Sequence, residues 1–360
     1  MLLLLLLAVA GALACVAGAG ISCYDDDGAP VDWFLVYKLP RSPSRGSSPA
    51  LGVRYMYQDA RSGGWVPGRA LVNSTQSAVG RTLLQLYRGA SRRTEDTAYI
   101  LYNDQPPRNI TSSAASSRGH TKGVVLLDRA QGFWLRHSTP HFPPPTTETY
   151  AWPHSGLHYG QSFICVTFPY AQFKQIGTQL RLADPLVYDS QVQGDFAQDL
   201  PDLLLASEMK HVRDPPWNRS VALTSLGGRP FVSLAKFRLF QDDLYSGWLA
   251  QVLSSDIYVQ FWPNSRGVLP SNCSGHYRVY DVQELGFPSP GPSFSATVDH
   301  SKWCVSTTSA LGWACVGDMN RNQAEEQRGG GALCQQDPAV WKSYYTLVQN
   351  YSKCQEGSGV

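Results

Sequence analysis

Hydrophobic and polar positions along the chain follow two periods. Runs rich in β-branched and aromatic residues predict strands over Val31–Leu39, Gly52–Gln58, Ala98–Tyr102, Gly123–Leu127, Ser162–Phe168, Phe231–Phe240, Ile257–Phe261 and Tyr277–Val282, with a further strand entering His300. Helix-like patterns predict helices around Ser77–Tyr87, Ala171–Leu182, Phe196–Ala206, Leu244–Leu253 and Pro338–Tyr351. Arg41–Pro49, Arg108–Arg118 and Pro143–Thr147, rich in Ser, Pro or Thr, read as loops. Strands and helices alternate, so a mixed α/β fold of sheets covered by helices is expected rather than a sandwich. Turn residues and acidic groups cluster between Leu182 and Arg213, placing a boundary between a first half, 23–200, and a second half, 201–360.

The N-terminus breaks this pattern. Met1 is followed by six leucines and an Ala-rich run that fades into the small residues Ala17-Gly18-Ala19-Gly20. This is the hydrophobic region and cleavage zone of a secretory signal peptide, and residues 1–22 are expected to be removed. The run is short for a membrane span and no later segment reaches that length, so no membrane anchor is expected. Seven cysteines remain after Cys15 leaves: Cys23, Cys165, Cys273, Cys304, Cys315, Cys334 and Cys354. Export allows up to three disulfides and one free thiol among them, with the pairing left open by spacing alone. No C-x-x-C spacing points to zinc. Asn-x-Ser/Thr sequons at Asn73, Asn109, Asn218, Asn272 and Asn350 agree with passage through the secretory pathway, although Cys273 adjoins Asn272.

Composition adds that the chain is globular. It is 43% hydrophobic and 16% charged over 360 residues, enough apolar surface for a large core or two ordinary ones. The formal charge is +2 with neutral histidines, and protonating all eight raises it toward about +10, which favours phosphate binding in acid.

Candidate chemistry centres on a repeated tripeptide. His120-Thr121-Lys122 and His300-Ser301-Lys302 share the pattern His-x-Lys, with a hydroxyl in the middle, 180 residues apart. On a strand, the period of two sets the imidazole and the ammonium on one face, so each motif is an acid/base group beside a phosphate clamp. Cleaving a phosphodiester requires a nucleophile on phosphorus, an acid for the leaving oxygen, and cations over the non-bridging oxygens. Two histidines and two lysines supply all of these without a metal or other cofactor. Either imidazole could attack, leaving the other to donate the proton.

Further residues carry a family resemblance across nearly the whole chain. Cys23-Tyr24-Asp25, Val31-Asp32-Trp33-Phe34-Leu35-Val36-Tyr37-Lys38-Leu39-Pro40, Tyr102-Asn103-Asp104-Gln105-Pro106-Pro107, Gly119-His120-Thr121-Lys122-Gly123-Val124 and Asp299-His300-Ser301-Lys302-Trp303 together resemble the deoxyribonuclease II family, in particular its mammalian alpha branch. The resemblance implies a phospholipase D-like fold, a pseudo-dimer of two sheet-and-helix halves in one chain, each giving one motif to a shared site. It makes His120, Lys122, His300 and Lys302 the catalytic set, with His300 the leading candidate for direct catalysis. Positions some seventeen residues beyond the motif histidines imply supporting roles for His137 in the first half and for Asp318 or Asn320 in the second. It further implies metal-independent hydrolysis of DNA, chiefly double-stranded, at acid pH to 3′-phosphate ends. The setting would be the lysosome, where DNA from engulfed apoptotic cells is degraded. Disulfides Cys23–Cys165, Cys273–Cys354 and Cys315–Cys334, with Cys304 free, are likewise implied by the resemblance. Whether the working unit is a monomer or a homodimer is left open.

Other features read as structural. Asp25-Asp26-Asp27 is expected to be a solvated acidic turn rather than a metal site. His154 and His158 have the spacing of a helical metal pair, but Pro153 and Gly156 argue against a helix there. Arg92-Arg93 and the surroundings of Arg118 are candidate phosphate contacts with solvated surface as the plainer reading. Two rival functions remain: a phosphodiesterase acting on lipid head groups, and a secreted glycoprotein that binds nucleic acid without cleaving it.

Overall fold

The computed structural model describes residues 20–41, 52–88, 96–108, 110, 117–288 and 291–354. Residues 1–19, which hold most of the segment expected to be a signal peptide, together with Arg92-Arg93 and Asn109, lie outside them.

Two sheets dominate. The first runs in spatial order Val187–Gln191, Ala98–Asn103, Lys122–Leu127, Gln131–His137, Gln161–Pro169, Trp33–Lys38, Tyr55–Asp59 and Val66–Pro67. Every neighbouring pair in it is antiparallel. The second runs Asn218–Thr224, Pro230–Lys236, Gly330–Gln336, Trp313–Gly317, Trp303–Ser306, Ile257–Gln260 and Val279–Gly286, which pairs with both Ser293–Ser295 and Val348–Tyr351. Its one parallel pair is Ile257–Gln260 against Val279–Gly286.

The same order recurs at the centre of both sheets. Lys122–Leu127 begins at the lysine of the first His-x-Lys motif and Trp303–Ser306 directly after that of the second, and each makes a hairpin with the next strand, Gln131–His137 or Trp313–Gly317. Beyond that hairpin lie Gln161–Pro169 and Gly330–Gln336, then Trp33–Lys38 and Pro230–Lys236. On the other side stand Ala98–Asn103 and Ile257–Gln260.

The central strands read as continuous apolar runs because both faces are buried. Trp33, Leu35 and Tyr37 face a core shared with Trp303, Val305, Val316 and Leu333 of the other sheet, while Phe34 and Val36 face a separate outer core. Helix Ala78–Arg88 covers that outer face through Val79, Leu83 and Leu86. The second sheet has an outer core of its own, covered by a π-turn, Tyr245–Leu249, running into helix Ala250–Leu253. Helices Phe173–Ala183 and Pro338–Tyr345 contribute Phe173, Ile176, Leu180, Val340 and Tyr344 to the shared core.

Disulfides join Cys23 to Cys165, Cys273 to Cys354 and Cys315 to Cys334, and Cys304 is a buried free thiol. No helix among the described residues is long and apolar enough to cross a membrane.

Several elements differ from the sequence reading. The approach to His300 is not a continuous strand: Ser293–Ser295 gives way to a 3-10 turn, Ala296–Val298, and Asp299 makes only an isolated bridge to Gly160. The pattern over Pro338–Tyr351 divides into a helix ending at Tyr345 and a strand, Val348–Tyr351, and that over Phe196–Ala206 divides at Leu200-Pro201. Asp25-Asp26-Asp27 enters a turn, as expected, but only Asp27 is solvated. Asp25 is buried and accepts the backbone N–H groups of Asp27 and Ala29, while Asp26 accepts that of Ala78 at 2.7 Å, at the start of the first helix. His154 sits in a 3-10 turn, and no cluster of three or more His, Cys, Asp or Glu is placed to hold a metal among the described residues.

Candidate active site

Both motifs are pinned by bonds that cross from one sheet to the other. The His120 N–H donates to Gly329 O at 2.8 Å, and the His300 N–H donates to Gly160 O at 2.9 Å. Gly329 and Gly160 each stand directly before equivalent strands, Gly330–Gln336 and Gln161–Pro169. The approach is close: a Cβ on Gly160 would lie 2.1 Å from Asp299 Oδ1, and one on Gly119 would lie 1.8 Å from Ala183 O. Only glycine permits such contact.

The middle hydroxyls anchor the motifs from beneath. Thr121 Oγ1 donates to Asp318 Oδ2 at 2.8 Å, and that carboxylate also pairs with buried Arg136. Ser301 Oγ donates to Asp299 Oδ2 at 2.7 Å and lies 2.8 Å from Tyr37 Oη, which itself donates to Asp299. Each anchor joins the two sheets: Asp318 follows a strand of the second and holds the first motif, while Tyr37 belongs to the first and holds the second.

This alternation turns the histidines and lysines toward one centre. The charges of Lys302, Lys122, His120 and Lys38 all bear on His300, and that of Lys122 bears on Lys302. Burial first, and then these cations, push His300 down to about 2. Lys302 is lowered to about 8 by burial, with Lys122 adding to the effect, and its ammonium donates to His300 O at 2.8 Å. All four motif side chains are at least half buried.

The two imidazoles have different surroundings. His120 Nδ1 lies 2.7 Å from Glu325 Oε1, and its Nε2 stays 3.9 Å from Asp104 Oδ2, too far for a hydrogen bond. Asp104 pairs with Lys122, which together with His120 and Arg328 outweighs burial and holds its carboxyl well below the usual range. Arg328 joins both acids, at 3.1 Å from Asp104 and 3.7 Å from Glu325. Burial lowers His120 from its ordinary value, opposed by Glu325 and Asp104. His300 is held by rings instead: Tyr159 stacks on it at 4.8 Å and Trp262 meets it edge-on at 4.0 Å.

The supporting candidates take separate places. Asp318 lies beneath the first motif, as described. Asn320 is one step removed, accepting the N–H of Trp262 at 3.1 Å. His137 lies next to Lys122 across the hairpin, since Gly123 pairs with Arg136. It touches neither motif by hydrogen bond: Nδ1 accepts from the Thr139 N–H at 3.1 Å, the ring stacks on Phe163, and burial lowers it to about 3. Of the sequon residues, Asn73 and Asn350 are exposed, and Asn218 and Asn272 are partly exposed.

Sequence reasoning did not assign Asp104, Glu325, Arg328, Tyr37, Tyr159, Trp262, Lys38 or Lys236 to the site. Asp104 stands in a segment that carried the resemblance, and Lys38 and Lys236 both end apolar runs, Phe34-Leu35-Val36-Tyr37-Lys38 and Val232-Ser233-Leu234-Ala235-Lys236. A lysine closing a buried strand is a readable signal. Glu325 lies in the polar run Asn322-Gln323-Ala324-Glu325-Glu326 and has none.

Fold and site together define a mixed α/β protein in which two sheets each bring a His-x-Lys motif to one buried cationic centre. A family model described as Deoxyribonuclease II matches residues 22–354, and the chain belongs to that family. It is 51% identical to deoxyribonuclease-2-alpha of Mus musculus, over 96% of this chain and 97% of that protein. It is 53% identical to the alpha protein of Sus scrofa, over 93% and 91%. Against deoxyribonuclease-2-beta of Rattus norvegicus the identity is 39%, over 93% of each.

Proposed function

We propose that this chain is a deoxyribonuclease: an acid endonuclease that hydrolyses DNA, chiefly double-stranded, to 3′-phosphate ends without a metal. Full-length kinship with proteins named deoxyribonuclease-2 supports the substrate and the reaction. The recurring strand order supports reading residues 23–200 and 201–360 as the two halves of a phospholipase D-like pseudo-dimer. The signal segment and the sequons support delivery through the secretory pathway to lysosomes.

The observation that carries the mechanism is the Glu325–His120 contact. A carboxylate on Nδ1–H fixes the tautomer, leaves the Nε2 lone pair free, and stabilises the positive charge that forms on the ring when it attacks phosphorus. Burial lowers the proton affinity of His120 from its ordinary value, against the pull of Glu325 and Asp104, which favours the neutral ring that attack requires. His120 is therefore the nucleophile. Its Nε2 bonds to phosphorus, the P–O5′ bond breaks, and His300 delivers a proton to the departing oxygen. His300 then takes a proton from water, which attacks phosphorus and breaks the N–P bond. Lys122 and Lys302 hold the non-bridging oxygens, and the arriving phosphate anion offsets the cations that, added to burial, keep His300 neutral in the free protein.

Plasmid nicking at pH 5 in chelator tests the assignment. His300→Asn is expected to lose activity by several orders of magnitude with its melting temperature nearly unchanged. With an activated phosphodiester that has a good leaving group, the same variant should accumulate a phosphoryl adduct on His120. Full activity of His300→Asn, or an adduct on another residue, would overturn it. An intact plasmid with the wild-type chain would favour a lipid phosphodiesterase or a binding protein.

A further inference from the structure

Lys38 and Lys236 close equivalent strands, and both ammonium groups are buried on the outer faces of their sheets. Lys236 donates to three carbonyls, Glu325 O at 3.0 Å, Glu326 O at 3.1 Å and Arg328 O at 2.8 Å, which is the full capacity of an ammonium. Among the described residues Lys38 has one hydrogen-bond partner, Leu157 O at 3.4 Å. Its nearest acid by electrostatic effect is Asp299, whose carboxylate is occupied by Tyr37 and Ser301. A buried ammonium with two spare N–H groups is costly unless an anion completes its shell. The fold does not impose this state, because the equivalent position is fully bonded.

A second donor stands beside it. Gln161 is paired directly across from Lys38 in the sheet and is fully buried. Its Oε1 accepts from Ser138 Oγ, while its Nε2 has no partner. Alternation along the strands sets Lys38, Gln161 and Lys122 on one face of the sheet. Gln161 follows Gly160, the acceptor of the His300 N–H, and the charge of Lys38 bears on His300. Two under-bonded buried donors thus stand beside the second motif.

We propose that Lys38 and Gln161 form an additional phosphate-oxygen site of the catalytic centre, with Lys38 donating to a non-bridging oxygen of the DNA backbone beside His300. The proposal rests on the reading of His120 and His300 as the reacting pair. Lys122 is paired with Asp104 and Lys302 donates to His300 O at 2.8 Å, whereas the bond from Lys38 to Leu157 O is long at 3.4 Å, so Lys38 is the least committed of these three buried lysines.

Steady-state plasmid nicking with inorganic phosphate as a competing probe tests it, alongside thermal melts. Lys38→Met keeps the length of the side chain and removes the charge. It is expected to lower kcat/KM by about 100-fold and to weaken inhibition by phosphate at least tenfold, with the melting temperature equal to or above that of the wild type. Gln161→Leu should weaken phosphate inhibition severalfold in the same direction. Lys236→Met, by contrast, should lower the melting temperature, because three buried carbonyls lose their donor. The proposal is overturned if Lys38→Met retains activity and phosphate inhibition within threefold. It is equally overturned if that variant melts early or does not fold, since Lys38 would then serve the fold as Lys236 does. An inactive His300→Asn beside a fully active Lys38→Met would sink this site alone and leave the wider mechanism standing.

Discussion

His120 and Glu325, separated by 205 residues in sequence, meet at 2.7 Å between Nδ1 and Oε1, so a carboxylate from far along the chain reaches the first His-x-Lys motif. Glu325 reaches this place because the Asn322 side chain accepts its N–H, fixing a short turn, and Lys236 gathers the carbonyls that follow.

Glu325→Gln should keep the hydrogen bond and lose the charge. The expected result is a fall in kcat of about 100-fold with KM changed by less than threefold, because the carboxylate acts on charge that develops in the transition state. Steady-state nicking at pH 5 measures it. A change confined to KM would mean that Glu325 serves binding instead.

DNA binding should take up a proton. Free His300 lies at about 2 and is neutral at pH 5; a bound phosphate raises its proton affinity, so binding strengthens as pH falls through the bound-state value. Calorimetry of DNA binding to an inactive His120→Ala variant, in buffers of different ionisation enthalpy, counts the protons. Adding His300→Gln should reduce the uptake by about one proton. Equal uptake by both variants would exclude His300 as the group concerned.

The buried pair Arg136–Asp318 should behave as a unit. Arg136→Met or Asp318→Leu alone leaves an uncompensated charge, and each is expected to cost about 3–5 kcal/mol in urea unfolding. The double variant should recover most of that loss. It should still cleave DNA poorly, because Thr121 loses the acceptor that fixes the first motif. Additive losses would show that the pair is not coupled.

Much of the scaffold was legible because its signals are local. Trp33–Lys38, Ala98–Asn103 and Lys122–Leu127 are dense in strand-forming residues, and both His-x-Lys motifs are contiguous. The hairpin and inner strands Gln131–His137, Trp313–Gly317 and Gly330–Gln336 escaped notice. Trp313–Gly317 and Gly330–Gln336 are rich in Gly, Ala, Cys and Gln, and they are strands because both of their edges are paired and they are buried; in Gln131–His137 the apolar run is only Phe133-Trp134-Leu135, flanked by polar residues and Gly132.

By itself the sequence determined the alternation of strands and helices, the four motif side chains and the kind of chemistry they can perform. Tertiary structure alone decided that the two motifs share one centre, that His120 has a carboxylate and His300 two aromatic rings, and that Lys38 is left under-bonded where Lys236 is not. The reason is physical. A side chain's proton affinity and orientation depend on the charges and dipoles within a few ångströms, and here sheet register and the bonds crossing between the sheets bring those neighbours in from distant parts of the chain.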